Sequence, residues 1–152
     1  WNYFMSVKTP ENAAFIKKWN AYVKKHKLPG GSKRVTNDPM EATYIGFKMW
    51  AKAVEKAGTT DVDEVEQAMI GIAVPNLTGS IAVMNANHHL SKPVLIGEIQ
   101  EDGQFEVVWE TPDTVIGDAW SDFLPSSKNL MSDWTAPLRC GNFDVTTGKC
   151  SG

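Results

Sequence analysis

The chain has 152 residues, of which 42% are apolar, and this is enough to bury one ordinary hydrophobic core. No apolar run approaches the roughly 20 residues of a membrane-spanning helix, so the sequence predicts none. The net charge of −3 is unevenly divided: residues 1–58 carry eleven Lys and Arg against four acidic residues, and residues 59–152 carry four against fourteen. A nucleic-acid or membrane surface is one interpretation, but no Arg cluster accompanies the lysines. We favour the solvated face of a helix, formed by Lys17, Lys18, Lys24, Lys25 and Lys27.

The chain begins with a strand-like, aromatic-rich stretch, Trp1–Val7, and continues into a helix. Thr9 followed by Pro10 predicts the helix start, because Thr caps free N–H groups and Pro fits the first helical position. The helix should end before Pro29-Gly30-Gly31, a loop signal. Its apolar face repeats every three or four residues and comprises Phe15, Ile16, Trp19, Tyr22 and Val23. Stacking against a ligand is an alternative role for Trp19 and Tyr22, but we favour the core.

A second helix is predicted from Met40 to Ala57, and Gly58 should end it. Asp38 with Glu41 three residues later forms a capping box, and Pro39 occupies the first helical position. Apolar residues surround nearly the whole helix, which predicts that it is buried or covered by another element. Gly46 costs about 1 kcal/mol relative to Ala in a helix interior, so we expect close packing there.

A short third helix and two short strands follow. Asp61 with Glu64 makes another capping box, and the helix should end at Gly71. The residues expected to face inward are Val62, Val65, Ala68 and Met69. Ile72–Pro75 and Gly79–Met84 are predicted strands.

A β-hairpin is the best-specified local structure in the chain. Its strands are Lys92–Gln100 and Gln104–Thr111, and Gly103 supplies the positive φ that a tight turn needs. Phe105, Val107 and Trp109 should share one face of the second strand. Periodicity fades from Pro112 onward, which predicts a long irregular tail. The order of strand, helices and strands predicts an α/β fold with helices packed on a sheet.

The motifs of common enzymes are missing from this sequence. The adjacent pair His88-His89 is a candidate metal site, but neighbouring strand residues point apart, so we favour a turn-entry pair that bonds to the backbone. We find no nucleophile elbow, P-loop or HExxH pattern. We therefore expect no enzyme activity, metal or cofactor. Asn76-Leu77-Thr78 matches a glycosylation sequon, a pattern frequent by chance.

Cys140 and Cys150 are the only cysteines, and both lie in a Gly/Asn/Thr-rich tail. A metal site would need further ligands, and a redox pair would need CxxC spacing. A disulfide between the two, closing a short loop, is the simplest account and stabilises by roughly 2–3 kcal/mol. It indicates an oxidising compartment, the periplasm or the cell exterior.

The start of the second helix is the best candidate for a ligand site. Residues 38–44 offer free backbone N–H groups together with Asp38, Glu41 and Tyr44, a set that can hold a small polar ligand. The alternative is that these residues simply cap the helix. Trp1, Tyr3 and Phe4 are a similar case, either facing a cleft or lying in the core.

Four segments of the chain resemble the C-terminal part of urea-binding proteins that feed ABC transporters. They are WNYFMSVKTPEN, RVTNDPMEATYIGFKMWAKAVEKAGTTDVDEV, NHHLSKPVLIGEIQEDGQFEVVWETP and DAWSDFLPSSKNLMSDWTAPLRCGNFD. These proteins are type I periplasmic solute-binding proteins, related to short-chain amide receptors. The resemblance implies a two-lobed α/β protein that closes by a hinge on urea or a small amide and delivers it to a membrane permease. A sensory or regulatory domain of the same fold is the alternative.

The resemblance also implies how this chain divides. Residues 1–85 would belong to one lobe, residues 86–111 would return to the other as the hairpin, and residues 112–152 would form the tail. The chain opens at Trp1 rather than Met, so we expect a processed chain or a fragment that lacks much of the cleft and is able to self-associate. By topology, Met40, Glu41 and Tyr44 would contribute to the cleft rim. The protein would be periplasmic.

Overall fold

The structure is a computed structural model that describes residues 1–117 and two later strands. The chain divides into two compact units, residues 1–117 and residues 118–152. Within residues 1–117, three α-helices precede five strands: α1 Pro10–Lys25, α2 Asp38–Ala57, α3 Val62–Met69, β1 Ala73–Pro75, β2 Ile81–Met84, β3 Leu90–Ser91, β4 Leu95–Ile99 and β5 Phe105–Glu110. The strands described in the second unit are β6 Asn142–Asp144 and β7 Lys149–Ser151, which pair antiparallel. None of the described helices has the length and apolar character needed to cross a membrane.

Helices α1 and α3 begin where their capping residues predict. The Thr9 hydroxyl accepts a hydrogen bond from the Asn12 N–H at 3.1 Å, and Pro10 is the first residue of α1. The Asp61 carboxylate accepts from the N–H groups of Asp63 and Glu64, which confirms it as the cap of α3. The solvated face of α1 is also confirmed, since its exposed residues include Lys17, Lys18, Lys24 and Lys25, and Lys27 just beyond the helix is exposed as well.

Helix α2 differs from the prediction at its start and on its outer face. Its N-cap is Asn37, whose side chain accepts from the Met40 N–H at 3.1 Å, so Asp38 is not the cap and already lies in the helix. Glu41 does not close a capping box either, because its carboxylate bonds elsewhere. Phe47 and Trp50 are 64% and 43% exposed, so α2 is not buried all round. One face of the helix meets the sheet, and the opposite face stacks these two rings on each other.

The core lies between α2 and the first sheet. Ile45 and Met49 of α2 are fully buried against Val74 of β1 and Ala82 of β2. This sheet contains β1, β2 and β3 in that order, and both pairs are antiparallel. Strands β1 and β2 thus confirm the two predicted strands.

The sequon lies in the turn between β1 and β2 and has a structural role. The Asn76 side chain is fully buried, and its Oδ1 accepts from the N–H and hydroxyl of Thr78 and from the N–H of Ser80. Its Nδ2 donates to the Ser80 hydroxyl at 2.7 Å. Glycosylation would require this amide to leave the turn.

The N-terminal stretch is not a strand. Tyr3 and Phe4 are both buried, whereas neighbouring residues of a strand face opposite sides. The chain turns at Met5 and Ser6, and the Val7 N–H donates to the Phe4 carbonyl at 3.1 Å. The turn lets Tyr3 and Phe4 reach different partners.

Strands β4 and β5 form a separate two-stranded hairpin, as predicted, and Gly103 in its turn has a φ of +78°. A bulge shifts the register, because Ile96 pairs with Trp109 while Gly97 pairs with Val107. Directly paired residues share a face, so Trp109 lies on the face of Ile96 and not on that of Val107. The prediction that Trp109 shares a face with Phe105 and Val107 is therefore wrong.

The predicted irregular tail contains the short hairpin β6–β7, which the sequence analysis missed. Cys150 pairs with Phe143 in it. Cys140 lies outside the described residues, so the disulfide remains a prediction.

Gly97 packs closely, whereas Gly46, where close packing was expected, does not. A Cβ on Gly97 would lie 2.8 and 2.9 Å from two ring atoms of Phe4. That ring is stacked on Phe105, with centroids 4.7 Å apart, and cannot easily move away. A Cβ on Gly46 would meet no atom within 4 Å. The Phe4 ring thus explains why the strand carries a glycine.

We predict opposite effects of alanine at these two glycines. Gly97→Ala should lower the free energy of unfolding by about 1–3 kcal/mol, because overpacking displaces the Phe4 ring. Gly46→Ala is the matched control and should raise the free energy of unfolding by up to about 1 kcal/mol, because Ala favours the helix. Guanidinium unfolding of both variants measures the difference. A Gly97→Ala variant as stable as the parent would contradict the close contact with Phe4.

Candidate functional site

The start of α2 lies where two segments cross between the hairpin and the rest of the first unit. These crossing segments are residues 1–9, which precede α1, and residues 92–94, which join β3 to β4. They are bonded to each other: the Leu95 N–H donates to the Trp1 carbonyl at 2.7 Å, and the Asn2 side-chain amide donates to the Pro93 carbonyl at 2.6 Å. The two segments therefore run side by side.

Two acidic side chains in the first turn of α2 each hold one crossing segment. The Asp38 carboxylate accepts from the backbone N–H of Asn2 at 3.1 Å. The Glu41 carboxylate accepts from the Lys92 ammonium at 2.5 Å. Asp38 and Glu41 are three residues apart, a spacing that places side chains on the same side of a helix. The first turn thus holds both segments through neighbouring carboxylates.

The Glu41–Lys92 ion pair is buried. The side chains of Glu41 and Lys92 are 0% and 8% exposed. Burial raises the pKa of Glu41, although the hydrogen bond and the charge of Lys92 act in the opposite direction. The second carboxylate oxygen, Oε1, is also buried, and a backbone hydrogen bond from Leu77 to the carboxylate likewise acts against the rise in pKa. Because removing one partner of a buried pair typically costs about 3–5 kcal/mol, Glu41 and Lys92 depend on each other.

A buried polar network fixes the first crossing segment from the other side. The Tyr3 hydroxyl donates to Asn12 Oδ1 at 2.9 Å and shares a hydrogen bond of 2.8 Å with the Thr36 hydroxyl. The Asn12 amide donates to the carbonyls of Met5 and Val7. Burial raises the pKa of Tyr3. The network ties residues 1–9 to α1 and to the chain just before α2.

Two pockets flank the first turn of α2. One, of about 340 Å³, is mainly apolar, with Tyr3, Phe4 and Phe105 in its wall. The other, of about 320 Å³, has Asn2, Ala42 and Lys92 in its wall. Asp38 lines both. Each is within the size range of small-ligand sites.

A larger open groove of about 630 Å³ lies elsewhere, between Ser6 to Thr9 and the hairpin. The charged residues along it, such as Lys8, Asp102 and Glu110, are all exposed. Exposed charges bind ligands weakly because water screens them. The pockets beside α2, where charge is buried, are therefore the better candidates.

The three predicted site residues do not converge on one pocket. Met40 and Tyr44 are half-buried and lie one turn apart on the same face of α2, where Tyr44 packs against Phe15 with ring centroids 4.9 Å apart. Glu41 lies on a different face, paired with Lys92. None of the three lines either pocket beside α2. Their role in ligand binding stays a prediction.

Sequence reasoning missed Asn2 and Lys92. One signal for Lys92 was available, because it is the only Lys or Arg between Lys56 and Lys128 and it sits between two strand-like runs. A Lys that is buried in such a place needs an acidic partner. The position of that acid, 51 residues earlier in the chain, could not be read from the sequence.

The histidine pair lies at a turn, as expected for His89, whose ring nitrogen Nδ1 is 3.1 Å from the Asn87 carbonyl. His88 has a φ of +61°, and its Nδ1 lies 3.6 Å from a carboxylate oxygen of Glu66 on α3. The sequence analysis missed this acidic neighbour. Among the described residues, no group of three or more His, Cys, Asp or Glu is placed to hold a metal ion.

Comparison with known proteins gives a family match over most of the chain. The model of the periplasmic binding protein domain matches residues 1–126. A curated relative, the limonene hydroxylase of Geobacillus stearothermophilus, is 32% identical over 110 residues, which cover 72% of this chain and 19% of that protein. The chain thus spans about a fifth of this relative.

Two solved structures have a similar fold. One is an ABC transporter solute-binding protein from R. palustris in complex with benzoate, with a TM-score of 0.57 and 17% identity, matched over 78% of this chain and 30% of that one. The other is an ABC transporter solute-binding protein from Rhodopseudomonas palustris HaA2 in complex with p-hydroxybenzoic acid. It has a TM-score of 0.53 and 23% identity, over 76% of this chain and 29% of that one. This chain spans less than a third of either protein.

We predict that Glu41 makes stability depend on pH. Its pKa in the folded protein lies above the ordinary 4.5, so the stability it contributes is present below that value and is lost as the pH rises through the raised pKa. The free energy of unfolding of the parent, minus that of Glu41→Gln, should therefore fall with rising pH over this window. Thermal unfolding at a series of pH values measures the difference. The control is Glu55→Gln, which makes the same substitution at an exposed site of the same helix. A parent that gains stability over Glu41→Gln as the pH rises would show that the pKa of Glu41 is lowered.

Proposed function

Because this chain belongs to the periplasmic binding protein domain family, whose model matches residues 1–126, we propose that it is part of the solute-binding component of an ABC transporter for urea or another short amide. The family match is the observation that carries this proposal. The likeness to two solute-binding proteins supports the fold. The choice of an amide rests on the resemblance of four sequence segments to urea-binding proteins.

The complete protein is proposed to have two lobes that close on the solute. This chain spans 30% and 29% of the two similar structures, so a longer parent protein is expected. Residues 1–85 would belong to one lobe, and residues 86–111 would return to the other. Two separate sheets, β1–β3 and β4–β5, are joined by residues 92–94, and β3 pairs with β2, so the sheets divide later in the chain than this proposed boundary. Residues 112–152 would follow as the tail.

The solute is proposed to bind near the first turn of α2. Amide N–H groups are donors and carboxylate oxygens are acceptors, so a carboxylate such as Asp38 beside a small pocket suits urea. We keep Met40 and Tyr44 as proposed contacts at the cleft rim. Glu41 is proposed to contribute indirectly, because its carboxylate is engaged by Lys92.

The proposed partner is the membrane permease of the transporter, and the proposed location is the periplasm. The hydroxylase name belongs to a relative of which this chain spans only 19%.

We predict that urea or a short amide raises the melting temperature of the complete gene product. A solute that binds only the folded state stabilises it by about 2.7 kcal/mol at a concentration of 100 times the dissociation constant. Thermal scans with urea, acetamide and leucine, at concentrations well below denaturing ones, measure the effect. The 152-residue chain alone should show no shift, because it lacks much of the cleft. A response to leucine without any response to the amides would contradict the proposed solute.

We predict a disulfide between Cys140 and Cys150 in protein secreted to an oxidising compartment. Neither cysteine should react with iodoacetamide in the unfolded, unreduced protein, and both should react after reduction, as measured by intact mass. Substituting both by Ser should lower the free energy of unfolding by roughly 2–3 kcal/mol. Two reactive thiols before reduction would contradict the pairing.

A further inference from the structure

The hairpin is tied to the rest of the first unit by few contacts. Among the strands that the structure describes, β4 and β5 pair only with each other, and an isolated two-stranded hairpin is at best marginally stable in water. Its position therefore depends on the two crossing segments and on the stack of Phe4 on Phe105. Whatever fixes the crossing segments also fixes the hairpin.

The second crossing segment is short, and Lys92 begins it. Lys92 exchanges backbone hydrogen bonds with Val115, at 3.2 and 2.8 Å, and its side chain reaches the buried Glu41 carboxylate. Pro93 is also buried, and its carbonyl accepts from Asn2. Residues 92–94 are thus held at one end by an ion pair to α2 and at the middle by the other crossing segment.

Stability alone does not explain a charged pair at this place. Replacing a buried ion pair by apolar side chains of similar size is often neutral or stabilising. An ion pair differs from an apolar contact because the buried ammonium must stay beside its one carboxylate, whereas apolar side chains can slide past each other.

We propose that Glu41 and Lys92 are positioning residues that set the solute affinity of the complete protein through their ion pair, and that neither charged group bonds to the solute. The inference rests on the proposed function. The pair holds residues 92–94 against α2 and so limits the orientations that the hairpin takes relative to α2. Since a solute selects among such orientations by its different affinity for each, releasing the pair changes the measured affinity. Substitutions of this kind, away from the ligand, shift coupling enough to change a dissociation constant roughly 2- to 30-fold.

The test uses the complete gene product with the double substitution Glu41→Gln and Lys92→Met, which removes both charges, keeps the side-chain sizes and leaves no buried charge unpaired. The single variant Lys92→Met is a second probe. The matched control is Glu55→Gln with Lys25→Met, which makes the same changes at exposed sites. Calorimetric titration with urea or acetamide measures the dissociation constant, and amide hydrogen exchange compares β4 with α3.

We expect the amide hydrogens of β4 to exchange faster in the double variant, while those of α3 exchange at the same rate as in the parent. The dissociation constant should change roughly 2- to 30-fold. Neither quantity should change in the control. Equal acceleration in both elements would show a merely structural role and overturn the proposal. Faster exchange in β4 with an unchanged dissociation constant would overturn the coupling to solute affinity. If the parent binds no amide, the proposed function fails. Hydrogen exchange alone then decides whether the ion pair positions the hairpin. Unchanged exchange in β4 would overturn this positioning role as well.

Discussion

The ion pair between Glu41 and Lys92 is the constraint on which the rest of the first unit depends. It joins two residues 51 positions apart, both almost completely buried, at the point where residues 92–94 leave the first sheet for the hairpin. Neither residue tolerates the loss of the other without a buried, unpaired charge. The pair therefore fixes the position of residues 92–94 against α2, and the hairpin continues from these residues.

The contacts around the pair extend this constraint to the second crossing segment. Asp38, one turn from Glu41, holds Asn2, and the buried hydroxyl of Tyr3 holds the same segment to Asn12. Phe4 then covers Gly97 on the hairpin. The proposed closure on a solute would use such a junction, because a protein that closes moves at few points and is rigid elsewhere.

The sequence predicted what depends on neighbouring residues. Thr9 and Asp61 mark helix starts, and Gly58 and Gly103 mark a helix end and a turn, because each supplies a cap or a positive φ within its own segment. The sequence-based predictions failed where a residue far away in the chain determines the local structure. The bulge turned Trp109 to the other face, and the acid that receives Lys92 could not be located. The ligand site expected at the first turn of α2 stays a prediction, and what the sequence could not show is that the Glu41 carboxylate bonds to Lys92.

A crystal structure of the complete gene product with urea bound tests the central claim most directly. The account predicts urea between two lobes near the first turn of α2, with the Glu41–Lys92 pair intact and with neither of the two charged groups bonded to the solute. A bound solute held by the Glu41 carboxylate, with Lys92 turned away, would contradict it.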